Sequence, residues 1–267
     1  MHPLGIHHIT AADTDPLTFV GIAAEVGCQE VSLFTRQPGA QSAFPLVDRA
    51  ISEPLAAALR DTGIRLANVE SFMLLPDTAV ADFRDAMELG AEFGARGAVA
   101  QVLDPDESRL TDKLHVLCDM AEELGLNVAI EFMALTPAWN TLPDVAGLVS
   151  RMTRANLRIG LDILHLVRSG GTPADVAALD PNLVAYAQLC DGANLTVTSD
   201  YVMEASANRL VPGTGVFPLA AFLEALPPGT PLELEVPQPA EIPPLERVRQ
   251  VVASTRRLLD TLAQRDS

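Results

Sequence analysis

The chain has 267 residues, of which 48% are apolar, and a formal net charge of −17. That length suits a single barrel-sized domain of about 250 residues, and the apolar content excludes a disordered chain. The acidic balance argues against nucleic acid or an anionic membrane surface as partners, because both select basic patches.

Strand-like and helix-like segments alternate along the chain. PLGIHHIT reads as the first strand, followed by a helix over about 15–27 that ends at Gly27. EVSLF is the second strand, with a helix over about 45–62 ending at Gly63. IRLANVESF is the third, with a helix over about 77–94, and GAVAQVL is the fourth. The turn Asp104-Pro-Asp-Glu-Ser supplies N-cap chemistry for a helix over about 107–125. NVAIEFM is the fifth strand, with a helix near 143–153, and LRIGLDI is the sixth, with a helix near 173–179. LVAYAQLC is the seventh, followed by the helix PLAAFLEAL, and PLELEV is the eighth, closed by a helix over about 243–264. Eight βα units with near-continuously apolar strands predict a (β/α)8 TIM barrel, an α/β fold, as one domain over residues 1–267.

The rhythm breaks once. Between Asp191 and Phe217 lies a stretch without clear periodicity. A loop so long in a compact domain is usually functional, and after the seventh strand it would stand on the catalytic face of a barrel. It is expected to be a lid, over about 191–217.

Cys28, Cys118 and Cys190 are odd in number and widely spaced, and the N-terminus carries no signal-peptide pattern. No run of about 18 apolar residues suggests a membrane span. A soluble, cytoplasmic protein with free thiols is the expectation. Its partner would be a small-molecule substrate, and a homo-oligomer is compatible with the sequence.

Glu131, Asp162, Gln188 and Glu235 each stand near the end of one of the last four apolar strands. Strand parity puts all four on the barrel interior, because alternate side chains share a face. Charge is costly there unless a partner such as a metal ion compensates it. Three carboxylates and an amide oxygen form a hard ligand set for one divalent ion, Mn²⁺ or Mg²⁺ first and Co²⁺ next. Glu233, one layer deeper, is expected to pair with Arg158 as a structural ion pair.

The stretches Ile130-Glu131-Phe132, Leu161-Asp162-Ile163-Leu164-His165, Gln188-Leu189-Cys190-Asp191, Pro212-Gly213-Thr214-Gly215 and Glu233-Leu234-Glu235-Val236-Pro237 resemble the xylose-isomerase-like TIM-barrel superfamily, the sugar phosphate isomerase/epimerase group. The similarity covers essentially the whole chain. Many members have His where Gln188 stands, and the Gln version resembles the branch that includes bacterial 3-dehydroshikimate dehydratases. Many relatives also carry Glu where this chain has Thr214, so a role for that acid does not transfer.

A divalent ion on a carbonyl and its adjacent hydroxyl stabilises the enediolate left when an α-proton departs. His165, one helical turn beyond Asp162, is the first candidate for the base. The resemblance also implies that Glu131 and Glu235 serve as acid/base groups in epimerising relatives. Arg209 and Arg168 are the cations that would offset the negative ligand shell for an anionic substrate. Glu70 and Arg36 are further candidates near strand ends, and Trp139 is a candidate cover for an apolar part of the substrate. Only one of His7 and His8 can face inward; parity does not decide which, and His8 is carried as the substrate contact.

Three readings follow. The first is a metal-dependent isomerase or epimerase acting through an enediolate on a small hydroxy-carbonyl substrate. The second is a metal-dependent dehydratase of the 3-dehydroshikimate type, in which the enolate expels a β-hydroxyl. The third is a non-catalytic metal-binding barrel. A DNA-repair endonuclease on the same barrel is set aside, because five His and an acidic chain do not supply a multi-zinc cluster and a basic face.

Overall fold

A computed structural model describes residues 3–39, 42–136, 138–196 and 200–264. Eight parallel strands close in sequence order into a barrel: β1 Leu4–His7, β2 Glu30–Phe34, β3 Arg65–Leu74, β4 Gly97–Val102, β5 Asn127–Glu131, β6 Leu157–Asp162, β7 Val184–Leu189 and β8 Leu232–Leu234. β1 pairs with both β2 and β8, which completes the ring. The helices are α1 Pro16–Glu25, α2 Ser52–Thr62, α3 Arg84–Glu92, α4 Glu107–Glu123, α5 Leu142–Met152, α6 Ile163–Arg168, α7 Pro173–Ala177, α8 Tyr201–Ala207, α9 Leu219–Ala225 and α10 Pro244–Ala263.

Local chemistry explains the boundaries. Asp15 caps α1 by accepting from the Leu17 and Thr18 amides, with Pro16 in the first turn. Thr141 caps α5 in the same way through the Asp144 amide. Gly63 ends α2 at φ 72°, a left-handed conformation that glycine adopts without steric penalty. The predicted helix over 45–62 starts later, because the Asp48 carboxylate accepts from the Ala50 and Ile51 amides and sets a 3-10 turn ahead of α2. Likewise the segment predicted over 77–94 opens with a 3-10 turn, Val80–Phe83, before α3.

The main core lies between strands and helices, where alternate strand residues meet the apolar helix faces. Inside the barrel a much smaller cluster of Val99, Ala129 and Tyr186 forms a plug below the mouth. Tyr186 occupies the space that a side chain at position 160 would need. A Cβ on Gly160 would stand 2.7 Å from the Tyr186 ring, so glycine in β6 is what lets the plug seat.

The long connection after β7 is partly ordered by its own contacts. It contains α8, which the sequence did not reveal, and Tyr201 at its start is buried. At its root the Asp191 carboxylate accepts hydrogen bonds from the amides of Gly192, Gly213, Gly215 and Phe217, each at 2.9 Å. A Cβ on Gly215 would stand 2.3 Å from the Gly192 carbonyl oxygen. The Pro212–Gly215 motif is therefore a backbone cradle around Asp191, not a site for the side chain of Thr214.

The three cysteines are buried and free. Among the described residues no helix is long and apolar enough to cross a membrane.

Candidate active site

The C-terminal ends of the strands bring the acidic residues together. Glu131 ends β5 and Asp162 ends β6, where it also caps α6 by accepting from the Leu164 amide at 2.7 Å. That cap starts a helix at once and turns His165 back over the mouth. His165 Nε2 lies 3.6 Å from Asp162 Oδ2 and 3.8 Å from Glu131 Oε1. Glu131, Asp162 and His165 are all buried, and their ligand atoms lie within 4.8 Å of one another, a group able to hold a metal ion.

Glu235 follows β8 directly and joins this cluster through Arg209. The Arg209 guanidinium donates to Asp162 Oδ2 at 2.6 Å and to Glu235 Oε1 at 2.7 Å. Burial disfavours its charge, but the two carboxylates more than reverse this and hold it well above the usual arginine range. Arg209 therefore belongs to the floor of the site and bridges two of the expected ligands.

Gln188 lies beside Asp162 and Glu233 in the strand register. Its Nε2 donates to Glu233 Oε2 at 2.9 Å, and its buried Oε1 has no hydrogen-bond partner. Glu233 also accepts from Ser32 Oγ. The expected Glu233–Arg158 pair does not form: Glu233 is held from β2 and β7, and Arg158 lines a different cavity with Asn127 and Pro181. Burial first, opposed by His7 and reinforced by Glu70, pushes the Glu233 carboxyl up to about 7.

His7, not His8, faces the site. β1 ends at His7, whose Nδ1 accepts from the Ile9 amide at 3.0 Å while Nε2 lies 2.9 Å from Glu70 Oε2. His8 begins the 3-10 turn, and its Nε2 meets the Thr14 carbonyl at 2.7 Å with its ring against Phe19. Burial opposes protonation of His7, and the charges of Glu70, Glu235 and Glu233 favour it and raise the imidazole. With Nδ1 accepting from Ile9, the ring proton stands on Nε2, facing Glu70. Glu70, a sequence candidate, thus reaches the cavity as the partner of His7.

Three other candidates lie elsewhere. Arg168 is fully buried and donates to both carboxylate oxygens of Glu204, at 2.7 and 2.5 Å, and to the Asn194 carbonyl at 3.0 Å. Its guanidinium lies 5.1 Å from the Phe217 ring centroid. It ties α6 to α8 and does not line the cavity. Trp139 donates from its indole to the Asp104 carbonyl at 3.0 Å and packs on the core. Arg36 lies over Phe83 in an adjoining cavity.

The sequence reading missed Gln101 and Tyr201 and left His7 undecided against His8. Gln101 lies near the end of β4 and donates to Glu131 Oε2 at 2.9 Å. It was legible by the same strand parity that found Glu131. Tyr201 Oη lies 2.5 Å from His165 Nδ1, and no sequence signal placed it there.

Electrostatics identifies what is lacking. Burial first, then the charges of Glu235, Glu70 and Asp162, raises the Glu131 carboxyl well above its ordinary range, against the Gln101 hydrogen bond. Glu235 is raised by burial too, opposed by Arg209 and His7. Of the three buried carboxylates, Arg209 holds Asp162 and Glu235 while Glu131 has the Gln101 amide, and Gln188 keeps an orphaned oxygen. Such a donor set fits a hard cation. His165, by contrast, is lowered to about 4, chiefly by burial, so its imidazole is neutral near pH 7.

A closed (β/α)8 barrel with a buried carboxylate and imidazole cluster at the C-terminal mouth defines a TIM-barrel protein with a metal-capable centre. The sequence model of the xylose isomerase-like TIM barrel matches residues 20–258, and the chain belongs to that family. A 3-dehydroshikimate dehydratase of Pseudomonas aeruginosa is 34% identical over 131 residues, which is 48% of this chain and 20% of that protein. The chain thus spans about a fifth of the length of the curated relatives it matches. Among solved structures, the IOLI protein with a bound zinc atom superposes with a TM-score of 0.82 at 16% identity, covering 97% of this chain and 99% of that one. The 3-keto-D-glucoside 4-epimerase YcjR of E. coli gives 0.75 at 17% identity, over 96% and 100%. At these identities the structural likeness speaks to the fold.

Proposed function

We propose that the chain is a divalent-metal-dependent enzyme of the sugar isomerase and epimerase type, moving a proton next to a carbonyl on a small hydroxy-carbonyl substrate. The observation that supports this best is the position of a neutral, buried His165, 3.6 Å from Asp162 and 3.8 Å from Glu131, in a cluster of three buried carboxylates of which Arg209 holds two. Glu131, Asp162, Gln188 and Glu235 would hold the ion, and their oxygens favour Mn²⁺ or Mg²⁺ over zinc. When bound, the ion supplies Lewis-acid stabilisation of an enediolate.

The chain's own groups supply the rest. Tyr201 fixes His165 through Nδ1. With Nδ1–H donating to Tyr201 Oη, the lone pair stands on Nε2 and faces the cavity, as a base requires. Gln101 and Arg209 orient Glu131 and Glu235. The α8 helix, with Val202 and Ala205, borders the cavity.

A second reading is a dehydratase, favoured by the name of the Pseudomonas aeruginosa relative. It shares the first proton transfer and then expels a β-hydroxyl. A carboxylate substrate would call for a free cation, and Arg209 and Arg168 are both engaged by carboxylates, which supports the first reading. The test is incubation of the Mn²⁺-loaded protein in deuterated water with α-hydroxy ketones and with 3-dehydroshikimate. Deuterium at the α-carbon without loss of water supports the isomerase; loss of water supports the dehydratase. Neither, with Glu131→Gln altering only stability, leaves the non-catalytic barrel.

A further inference from the structure

The catalytic cavity has a volume of about 290 Å³, and its two sides differ in chemistry. One side is the polar floor already described. The other is a wall of Phe34, Phe44, Met73, Met133, Leu135 and Val202. None of these six belongs to the core packed between strands and helices. The Phe34 and Phe44 rings stack with centroids 4.6 Å apart and planes 4° from parallel. Leu135 and Val202 at the rim are 43% and 64% exposed. Phe34 is already buried against the Phe44 ring, whereas Phe44, Met73 and Met133 are half-buried and Leu135 and Val202 exposed, so these five gain burial when something covers them.

The charges point the same way. Among the described residues lining the cavity, the arginine is Arg209, and both ends of its guanidinium fork are taken by Asp162 and Glu235. His7 is paired with Glu70. Arg168 is turned away and held on both oxygens of Glu204. A phosphate or carboxylate entering this cavity would meet Glu70, Glu131 and Glu235 with no unengaged arginine among the described residues to bind it. Arg36 belongs to an adjoining cavity of about 620 Å³ that meets this one at Pro38, Ser71 and Met73, and it donates to the Asp82 carbonyl at 3.1 Å.

We propose that the site takes an uncharged hydroxy ketone carrying an aromatic or branched apolar substituent, the hydroxy ketone on the polar floor and the substituent against Phe34, Phe44 and Leu135. This rests on the reading of the barrel mouth as the reacting centre. It sharpens that reading by excluding sugar phosphates and carboxylates as the preferred class. Phe44 and Leu135 are then specificity-determining residues.

The test is calorimetric binding of three non-reacting probes to the Mn²⁺-loaded protein: a six-carbon polyol, its benzyl ether and its phosphate ester. The benzyl ether should bind about tenfold or more tighter than the parent, the gain expected for burying one aromatic group. The phosphate ester should bind no better than the parent. Phe44→Ser and, independently, Leu135→Ser should each shrink the benzyl advantage. Tighter binding of the phosphate ester, no benzyl advantage, or no binding of any probe would overturn the proposal. A phosphate advantage lost in Arg36→Ala would overturn it as well, placing an anion in the adjoining cavity. If the benzyl preference holds while the deuterium experiment shows no exchange, the catalytic reading fails and the binding inference survives. If instead a phosphorylated ketone exchanges and binds better than the neutral one, the catalytic reading survives and the binding inference fails.

Discussion

The His165 imidazole is joined to the Tyr201 hydroxyl, with Nδ1 and Oη 2.5 Å apart. His165 stands on α6, at the end of β6, and Tyr201 opens α8 in the long connection after β7. The proposed base is thus oriented by the segment that covers it, so base geometry and cover are coupled.

Removal of the imidazole should therefore be severe and removal of the hydroxyl milder. His165→Ala is expected to lower kcat by about 10²–10⁴-fold, the usual contribution of a positioned base. Tyr201→Phe should lower kcat by about tenfold with a smaller change in KM, because it frees the tautomer and orientation of His165 without removing it. Burial lowers His165 to about 4, so the acid limb of the kcat/KM profile should fall near or below that pH and not near 6.5. Steady-state kinetics over pH 4–9 check all three outcomes.

His8 carries a pH signature of its own. It lies away from the cluster, and burial lowers it to about 4 from 6.5. The unfolded chain therefore binds a proton there at a higher pH than the folded one. Its contribution to stability is full above 6.5 and lost as pH falls from 6.5 towards 4, by at most about 3 kcal/mol at about 1.4 kcal/mol per unit. Denaturant unfolding at several pH values should show a flatter acid slope for His8→Gln than for the parent chain.

The pair of Arg168 with Glu204 ties α6 to α8, and Arg168 is not among the residues that line the cavity. Arg168→Met leaves a largely buried carboxylate without its partner and should destabilise by about 3 kcal/mol. Limited proteolysis should then cut between residues 192 and 207 faster than in the parent protein. If Arg168 held an anionic substrate instead, the variant would raise KM with little change in stability.

Gly160 offers a packing test. In Gly160→Ala the new methyl would meet the fully buried Tyr186 ring at 2.7 Å, and overpacking of this kind destabilises by about 1–3 kcal/mol. Thermal unfolding of Gly160→Ala and of the double variant Gly160→Ala/Tyr186→Leu should show partial rescue in the second.

The barrel was legible because eight apolar runs alternate with glycine-punctuated helices, and periodicity carries that information locally. The placement of Glu131, Asp162 and Gln188 at successive strand ends was legible for the same reason: parity along a strand is a backbone property. Contacts that depend on a single side-chain torsion or on another loop were not. The choice between His7 and His8 rested on β1 stopping after His7, which the apolar continuation Ile9-Thr10 concealed. Arg168 was expected at the substrate because its partner, Glu204, lies in a stretch with no periodic signal. Trp139 was expected over the cavity, but one hydrogen bond to the Asp104 carbonyl directs it to the loop beside α4. Glu233 found Ser32 and Gln188, not Arg158, because strand neighbours across the closed ring decide that pairing.

Everything proposed for the barrel mouth depends on Glu131, Asp162 and their neighbours on β7 and β8 holding one divalent ion. The decisive measurement is metal content by mass spectrometry after equilibration with Mn²⁺ and Mg²⁺, on the parent protein and on Glu131→Gln and Asp162→Asn. Close to one ion per chain is expected in the parent and a large loss in both variants, with folding confirmed by circular dichroism. No bound ion in the parent, or equal content in all three, would contradict the metal site.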